Sequence, residues 1–276
     1  TFGSSNALST TISASADGTY TIRCTATDAA GNSAYSDMTL AWDTSTPTVT
    51  NAASSTANGF YKAGSAINIT LSFSETISSG SGLTLSLNSG ATVTTGALSN
   101  VTSWNGTYTV GAGQTSADLT VNSMTGMITD LAGNSTTDPA LPVNQNIADF
   151  KAIVIDTTAP VVSAGGNKSA NAQFIPTATA TDTNTMTHSW TKQSGPGTIT
   201  FGTATDLTPT ISADTEGTCV LRLTATDAAG NSAYSEMTLV WDTISPTGSN
   251  DFQFLPQTGQ TTCYDSSGIV ISCATG

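Results

Sequence analysis

TATDAAGNSAYS, residues Thr25–Ser36, returns unchanged as Thr224–Ser235, 199 residues further along the chain (224 − 25 = 199). Outward from it, Thr1–Pro47 aligns without gaps onto Thr200–Pro246, with about 30 of the 47 positions identical. A repeat of this fidelity at a fixed offset marks an array of modules rather than one large core. Inside the repeat the apolar period is two. In Thr19–Thr27 (TYTIRCTAT) the residues Tyr20, Ile22, Cys24 and Ala26 face one way, and Thr19, Thr21, Arg23 and Thr25 the other. The later copy places Cys219, Leu221, Leu223 and Ala225 on the inward side. Ile67–Phe73 (INITLSF), Leu83–Leu87 and Leu119–Val121 alternate likewise. The turns between such runs are DAAGN (twice), DLAGN at Asp130–Asn134 and NSG at Asn88–Gly90, so the pattern predicts antiparallel sheet with one solvated face. No stretch carries a helical period.

Three short segments punctuate the chain: WDTSTP (Trp42–Pro47), IDTTAP (Ile155–Pro160) and WDTISP (Trp241–Pro246). Each follows an apolar strand and ends in proline, which has no ladder donor and biases its predecessor to extended geometry. The prolines lie 113 (160 − 47) and 86 (246 − 160) residues apart, both the size of a β-sandwich. The expected organisation is the C-terminal half of a module (1–47), a complete module (48–159), a second complete module (160–246) and a tail (247–276). Residues 160–199 supply the first strands of the later copy, and 1–47 carries no counterpart, so the sequence is read as opening inside a module.

Composition removes several function classes. Six Lys plus Arg against nineteen Asp plus Glu give a net charge of −13, with 9% charged and 37% hydrophobic residues. A phosphate-backbone binder needs clustered cations, so nucleic acid is excluded as a partner, as is docking on an anionic membrane. No apolar run reaches the 18 or so residues of a membrane span. One histidine (His188) and four cysteines leave little of the usual catalytic inventory. Four cysteines in an acidic, Thr/Ser-rich chain fit an exported protein.

The residues also carry family resemblances. His188–Phe201 (HSWTKQSGPGTITF), Gly217–Asn231 (GTCVLRLTATDAAGN) and the closing MTLVWD strand resemble a bacterial PKD-type Ig-like domain. Thr56–Glu75, Tyr108–Val121 and the run ITDLAGN…AIVIDTTAP are similar to the bacterial Ig-like repeats of very large surface and S-layer-type proteins. Thr258–Cys273 (TGQTTCYDSSGIVISC) resembles the lead-in to a C-terminal domain of the Lcl type, found on collagen-like adhesins. The resemblances imply an all-β fold of tandem Ig-like β-sandwiches, antiparallel and of Greek-key type, at an extracellular or cell-surface location. They imply a structural subunit or stalk of a bacterial fibre or adhesin, with other copies of itself and host or matrix glycans as partners. The alternative is a carbohydrate-binding or spacer region of a large secreted enzyme. An enzyme in its own right is not expected: no paired acid and base, nucleophile or cofactor loop can be assembled.

The candidate site residues are acidic. Asp28, Asp130 and Asp227 open the D-x-x-G-N turns, and Asp43, Asp156 and Asp242 stand in the D-T-x-x-P linkers. Each can cap its own turn by accepting from backbone N–H groups nearby. The resemblance adds a second reading, since bacterial Ig arrays hold Ca²⁺ at module junctions where carboxylates and carbonyls converge. No cofactor is required by the pattern, and Ca²⁺ is the one it allows. Cys263 and Cys273 flank a hairpin-like segment, and a disulfide between them would close a short loop in a tail with little core. Cys24 and Cys219 sit on the inward face of equivalent strands. Either each is a buried thiol acting as a small hydrophobe, or Cys24 finds a partner on a neighbouring chain. Trp190, Trp241 and Trp42 are core aromatics, and His188 is structural. Trp104 with Tyr108 could form a sugar-stacking platform, and Lys62 or Lys151 could form an isopeptide bond with an Asn.

The half-module leaves Tyr20, Ile22, Cys24, Leu40 and Trp42 without an opposing layer, and an apolar face of that size should not stay bare. Two explanations stand: the covering strands precede Thr1 in a longer array, or another copy's tail (Phe252, Phe254, Leu255 and the IVIS strand) adds them by strand complementation.

Overall fold

A computed structural model describes residues 1–7, 9–78 and 82–245, together with the backbone of 263–264 and 270–271. The all-β expectation holds. Residues 1–47 contain one hairpin, β1 (Gly18–Thr27) and β2 (Ser33–Trp42), preceded by an isolated bridge between Phe2 and Ile12. Asp28 turns the chain between the strands, and Gly31 adopts a positive φ of 89° that side-chain-bearing residues rarely take.

Residues 49–155 form one hydrophobic core. β3 (Val49–Ala53), β5 (Ala66–Ile77) and β8 (Val101–Thr109) make one antiparallel sheet, in the order β3-β5-β8; β4 (Gly59–Tyr61) lies outside it. β6 (Leu83–Leu87), β7 (Thr92–Thr94), β9 (Val121–Thr129) and β10 (Ser135–Thr137) make the facing sheet, in the order β10-β9-β6-β7. Ile67, Ile69, Leu71 and Phe73 alternate into the core as their period predicts, and Leu83, Leu85 and Leu87 meet them from the other side. A four-residue helix, α1 (Ile147–Phe150), escaped the sequence reading. It is held by a capping box in which the Asn146 side chain accepts from the backbone and Asp149 accepts from the Asn146 N–H. It leads into β11 (Ile153–Ile155), which pairs with β4 in parallel rather than antiparallel fashion.

Residues 164–241 build a second core. β13 (Lys168–Ala170), β15 (Met186–Ser194), β18 (Gly217–Asp227) and β19 (Ser232–Trp241) form a sheet ordered β13-β19-β18-β15. The pairs β12 (Val161–Ser163) with β14 (Thr179–Thr181), and β16 (Ile199–Phe201) with β17 (Ile211–Ala213), complete the layers. Trp190 and Phe201 stack with centroids 6.2 Å apart over Leu221, Leu223, Met237 and Leu239. The β13–β19 pair is again parallel.

The two hairpins of the repeat keep one register: Gly18 pairs with Trp42 as Gly217 pairs with Trp241, and Thr27 with Ser33 as Thr226 with Ser232. Their solvated faces match as well. Arg23 binds Asp37 and stacks over Tyr35, and Arg222 does the same with Glu236 and Tyr234. The inward faces differ in burial: Tyr20, Ile22, Leu40 and Trp42 are half-buried, whereas the complete copy buries Cys219, Leu221, Leu239 and Trp241 at the same places. The inward reading of Cys24 as a buried thiol is therefore corrected: Cys24 is exposed, while Cys219 is buried, and both are free. In the tail, β20 (Cys263–Tyr264) and β21 (Val270–Ile271) pair antiparallel. The disulfide expected between Cys263 and Cys273 lies outside the described residues. No helix among the described residues is long and apolar enough to cross a membrane.

Candidate junction site

Each D-x-x-G-N turn is closed by its aspartate. Asp130 Oδ1 accepts from the N–H of Gly133 and Asn134, and its Oδ2 accepts from Asn134 Nδ2 at 2.8 Å. Asp28 and Asp227 repeat the pattern with Asn32 and Asn231. Each linker aspartate caps the residue two further on: Asp43 for Ser45, Asp156 for Thr158 and Asp242 for Ile244. The local capping reading is thus realised at all six positions.

The turns and linkers also meet. Asn134 Nδ2 donates to the carbonyl of Asp43 at 3.1 Å, and Asn231 Nδ2 donates to the carbonyl of Asp156 at 3.0 Å. Each linker is thereby tied to the D-x-x-G-N turn of the module that follows it. At both junctions this contact gathers three carboxylates, Asp43, Glu75 and Asp130 at the first and Asp156, Asp182 and Asp227 at the second. Within each group the ligand atoms lie within 4.8 Å of one another. Asp130, Asp156 and Asp227 are buried. Asp28 and Asp242, named with them from the sequence, belong to neither group.

Glu75 and Asp182 were missed by the sequence reading, yet they occupy the same topological place. Ser74 hydrogen-bonds Thr48, the residue after the first linker, and Glu75 follows it. Thr181 pairs with Val161, the residue after the second linker, and Asp182 follows it. The rule is an acid that directly follows, in sequence, the residue paired with the first residue after the linker. That rule needs strand pairing and is invisible to a motif scan.

The electrostatics are unbalanced. Burial, then the negative charges of Asp43 and Asp130, hold the Glu75 carboxyl above its ordinary range. Asp130 is also opposed by burial, but the Asn134 side chain and the N–H groups of its turn bring it below the ordinary carboxylate value. Three hard oxygen donors sharing a space this small favour a proton or a hard cation between them. Beside the second junction, a groove of about 600 Å³ opens between Asn88, Asp156 and Asn184.

Other sequence candidates resolve differently. Tyr108 is 2% exposed, and its hydroxyl donates to Gln114 Oε1 and hydrogen-bonds the Ser89 hydroxyl, so it faces the core with Trp104 and no sugar platform forms. The two residues pair with Ile67 and Leu71, whose side is the buried one. Lys62 Nζ donates to the Gly230 carbonyl at 2.9 Å, which joins module 48–159 to the next turn instead of to an Asn. Trp190 and Trp241 are buried core residues as expected. His188 keeps Nε2 buried without a hydrogen-bond partner.

No curated protein matches the chain. Among solved structures, dimeric latent PorU from Porphyromonas gingivalis aligns at 12% identity with a TM-score of 0.21, covering 73% of this chain and 24% of that one. A second is SGBP-B of the Bacteroides ovatus mixed-linkage glucan utilization locus, in complex with a mixed-linkage heptasaccharide. It aligns at 14% identity with a TM-score of 0.19, covering 82% of this chain and 53% of that one. The chain thus spans about a quarter and about half of these two proteins. Residues 165–240 match the family described as K319L-like, PKD domain, and with their buried Trp190 and antiparallel β15–β18–β19 sheet they form a PKD-type Ig-like module.

Proposed function

We propose that the chain is a structural stalk: tandem Ig-like modules of a bacterial extracellular fibre or adhesin, stiffened where one module meets the next. The observation that carries this reading is the recurrence of one junction in two modules of unlike sequence, each with a linker aspartate, a turn aspartate and a third acid beside the residue that pairs with the start of the module. A spacer needs independent cores and restricted bending between them. The separate cores of 49–155 and 164–241 supply the first, and the Asn-to-linker bonds with the short proline-ended linkers supply the second. The PKD-type module, the low charge density and the negative net charge suit an exposed rod that repels its neighbours.

The carboxylate groups are assigned to a hard divalent cation, with Ca²⁺ favoured because it accepts six to eight oxygens in irregular geometry and needs no preformed cage. In this role the ion offsets the mutual repulsion of the three carboxylates and locks linker to turn. Isothermal titration of the full chain with Ca²⁺ is expected to give two sites. Asp43→Asn is expected to remove one and Asp156→Asn the other. Heat-silent titrations with both wild type and variants would remove the cation from the reading.

A further inference from the structure

The outer face of the repeated hairpin carries one constellation twice. In the complete copy Arg222 stands opposite Glu236, and Thr224 opposite Tyr234, across β18 and β19. Arg222 Nε and Nη2 donate to Glu236 Oε1 at 3.0 and 2.6 Å, and its guanidinium carbon lies 4.0 Å from the centre of the Tyr234 ring. In the earlier copy Arg23 Nε and Nη2 donate to Asp37 Oδ1 and Oδ2 at 2.8 and 2.9 Å, with the guanidinium carbon 3.9 Å from the Tyr35 ring centre. The acid differs between the copies, and the arrangement survives the difference. This face is turned away from the core, because the residues that alternate with it, Leu221, Leu223 and Met237, are buried.

These two tyrosines differ from the others. Tyr20 and Tyr61 donate to the carbonyls of Ala16 and Ala57, both at 2.7 Å, and Tyr108 is fixed in a core. Tyr35 and Tyr234 are 64% and 60% exposed, and their hydroxyls bind no described residue. The guanidinium covers one side of each ring as a cross-strand cation–π pair, which leaves the other side and the hydroxyl to solvent. Arg23 and Arg222 each keep Nη1 without a described partner, and Glu236 accepts both its bonds on Oε1, which leaves Oε2 free. On the neighbouring β15, Thr191 lies opposite Arg222 and Ser189 opposite Thr224, and both are exposed. Each site thus offers a flat ring, an N–H fork and a carboxylate side by side, and in the complete copy a border of hydroxyls.

We propose that Tyr234 with Arg222 and Glu236, and Tyr35 with Arg23 and Asp37, are two binding platforms for a neutral polysaccharide of pyranose units. A pyranose has a flat C–H face that stacks on an aromatic ring, and its neighbouring hydroxyls both accept and donate. The guanidinium supplies the donors and the carboxylate the acceptor, in fixed relation because each holds the other. Charge selects the class of glycan. Each platform sums to zero, and the chain carries −13, so a polyanion is repelled and a neutral polymer is not. Repeating sugar units suit repeated platforms, since a polymer that reaches both is held bivalently. Such a contact goes beyond the stalk role and does not require it.

The test is affinity electrophoresis of the full chain through gels holding hydroxyethylcellulose, a soluble galactan or polygalacturonate, beside a melting curve for each variant. Wild type is expected to be retarded in a neutral gel and to run freely in polygalacturonate. Tyr35→Ala and Tyr234→Ala are each expected to weaken retention about tenfold, because one arm of a bivalent contact is lost. The double alanine variant is expected to abolish it, and Tyr35→Trp/Tyr234→Trp to keep it. Where alanine lowers the melting temperature, Arg23→Gln/Arg222→Gln decides, since both rings stay in place and retention is expected to fall severalfold. Wild type that runs freely in both neutral gels overturns the proposal. So does retention that survives the double alanine change in a folded chain, or the glutamine change. Stronger retardation in polygalacturonate gives the arginines to an acidic ligand and overturns the neutral glycan. Chelator is expected to leave retention unchanged, so failure here and failure of the junction cation are read separately.

Discussion

Met38 and Met237 are the same residue at the same register of one repeated hairpin, and they differ only in what lies above them. Burial of a Met side chain contributes about 2 kcal/mol or more, and truncation in a packed core leaves a cavity as well. Met237→Ala is therefore expected to cost about 2–4 kcal/mol in urea unfolding, and Met38→Ala less than about 0.5 kcal/mol. The acids separate in the same way. Asp130 is 1% exposed and accepts three hydrogen bonds, so Asp130→Ala is expected to destabilise module 48–159 by about 3 kcal/mol. Glu75 carries the opposite sign. Its folded pKa lies above the ordinary 4.5, first because of burial and then because of Asp43 and Asp130, so the folded state holds its proton more tightly than the unfolded one. Without a cation, stability is thus lost as pH rises from about 4.5 through the folded value. Asp28 and Asp130 lie below their ordinary 3.8 and add stability at neutral pH that is lost as pH falls through that range. Glu75→Gln in chelator is expected to flatten the loss toward neutral pH and raise the melting temperature at pH 7. A variant that melts below wild type there would contradict the assignment.

At the scale of the element, the strands were legible because their period of two survives in burial: Ile67, Ile69, Leu71 and Phe73 all point inward, as do Cys219, Leu221, Leu223 and Ala225. The turns were legible because Asp, Gly and Asn each have one physical task in D-x-x-G-N. Four of the six named aspartates came together at junctions, since linker and turn are both readable motifs. Glu75 and Asp182 were not readable, because their position depends on which strand pairs with the segment after the linker. The parallel pairs β4–β11 and β13–β19 escaped for the same reason, and α1 is a single turn whose cap outweighs any periodicity. The face taken by Tyr108 was not readable, because an aromatic on a strand says nothing about which sheet face is covered. Trp190→Ala tests the element level. It is expected to cost residues 160–245 about 3–5 kcal/mol in unfolding followed by Trp fluorescence, while the transition of 48–159 stays in place. Movement of both transitions together would mean that the two cores unfold as one.

At the scale of the whole molecule, modules with separate cores are joined by junctions built to one plan, and the proposed stalk is stiff to the extent that negative charge is neutralised there. A ligand that binds only the folded junction stabilises it by mass action, about 2.7 kcal/mol at a hundredfold excess over its dissociation constant. For modules of this size that corresponds to a rise of roughly 5 °C or more in melting temperature. The most direct measurement is calorimetric melting of the full chain in Ca²⁺ and in chelator, with Asp43→Asn/Asp156→Asn as control. The account predicts a rise in Ca²⁺ for wild type and none for the double variant. Superimposable wild-type melting curves in Ca²⁺ and chelator would contradict it.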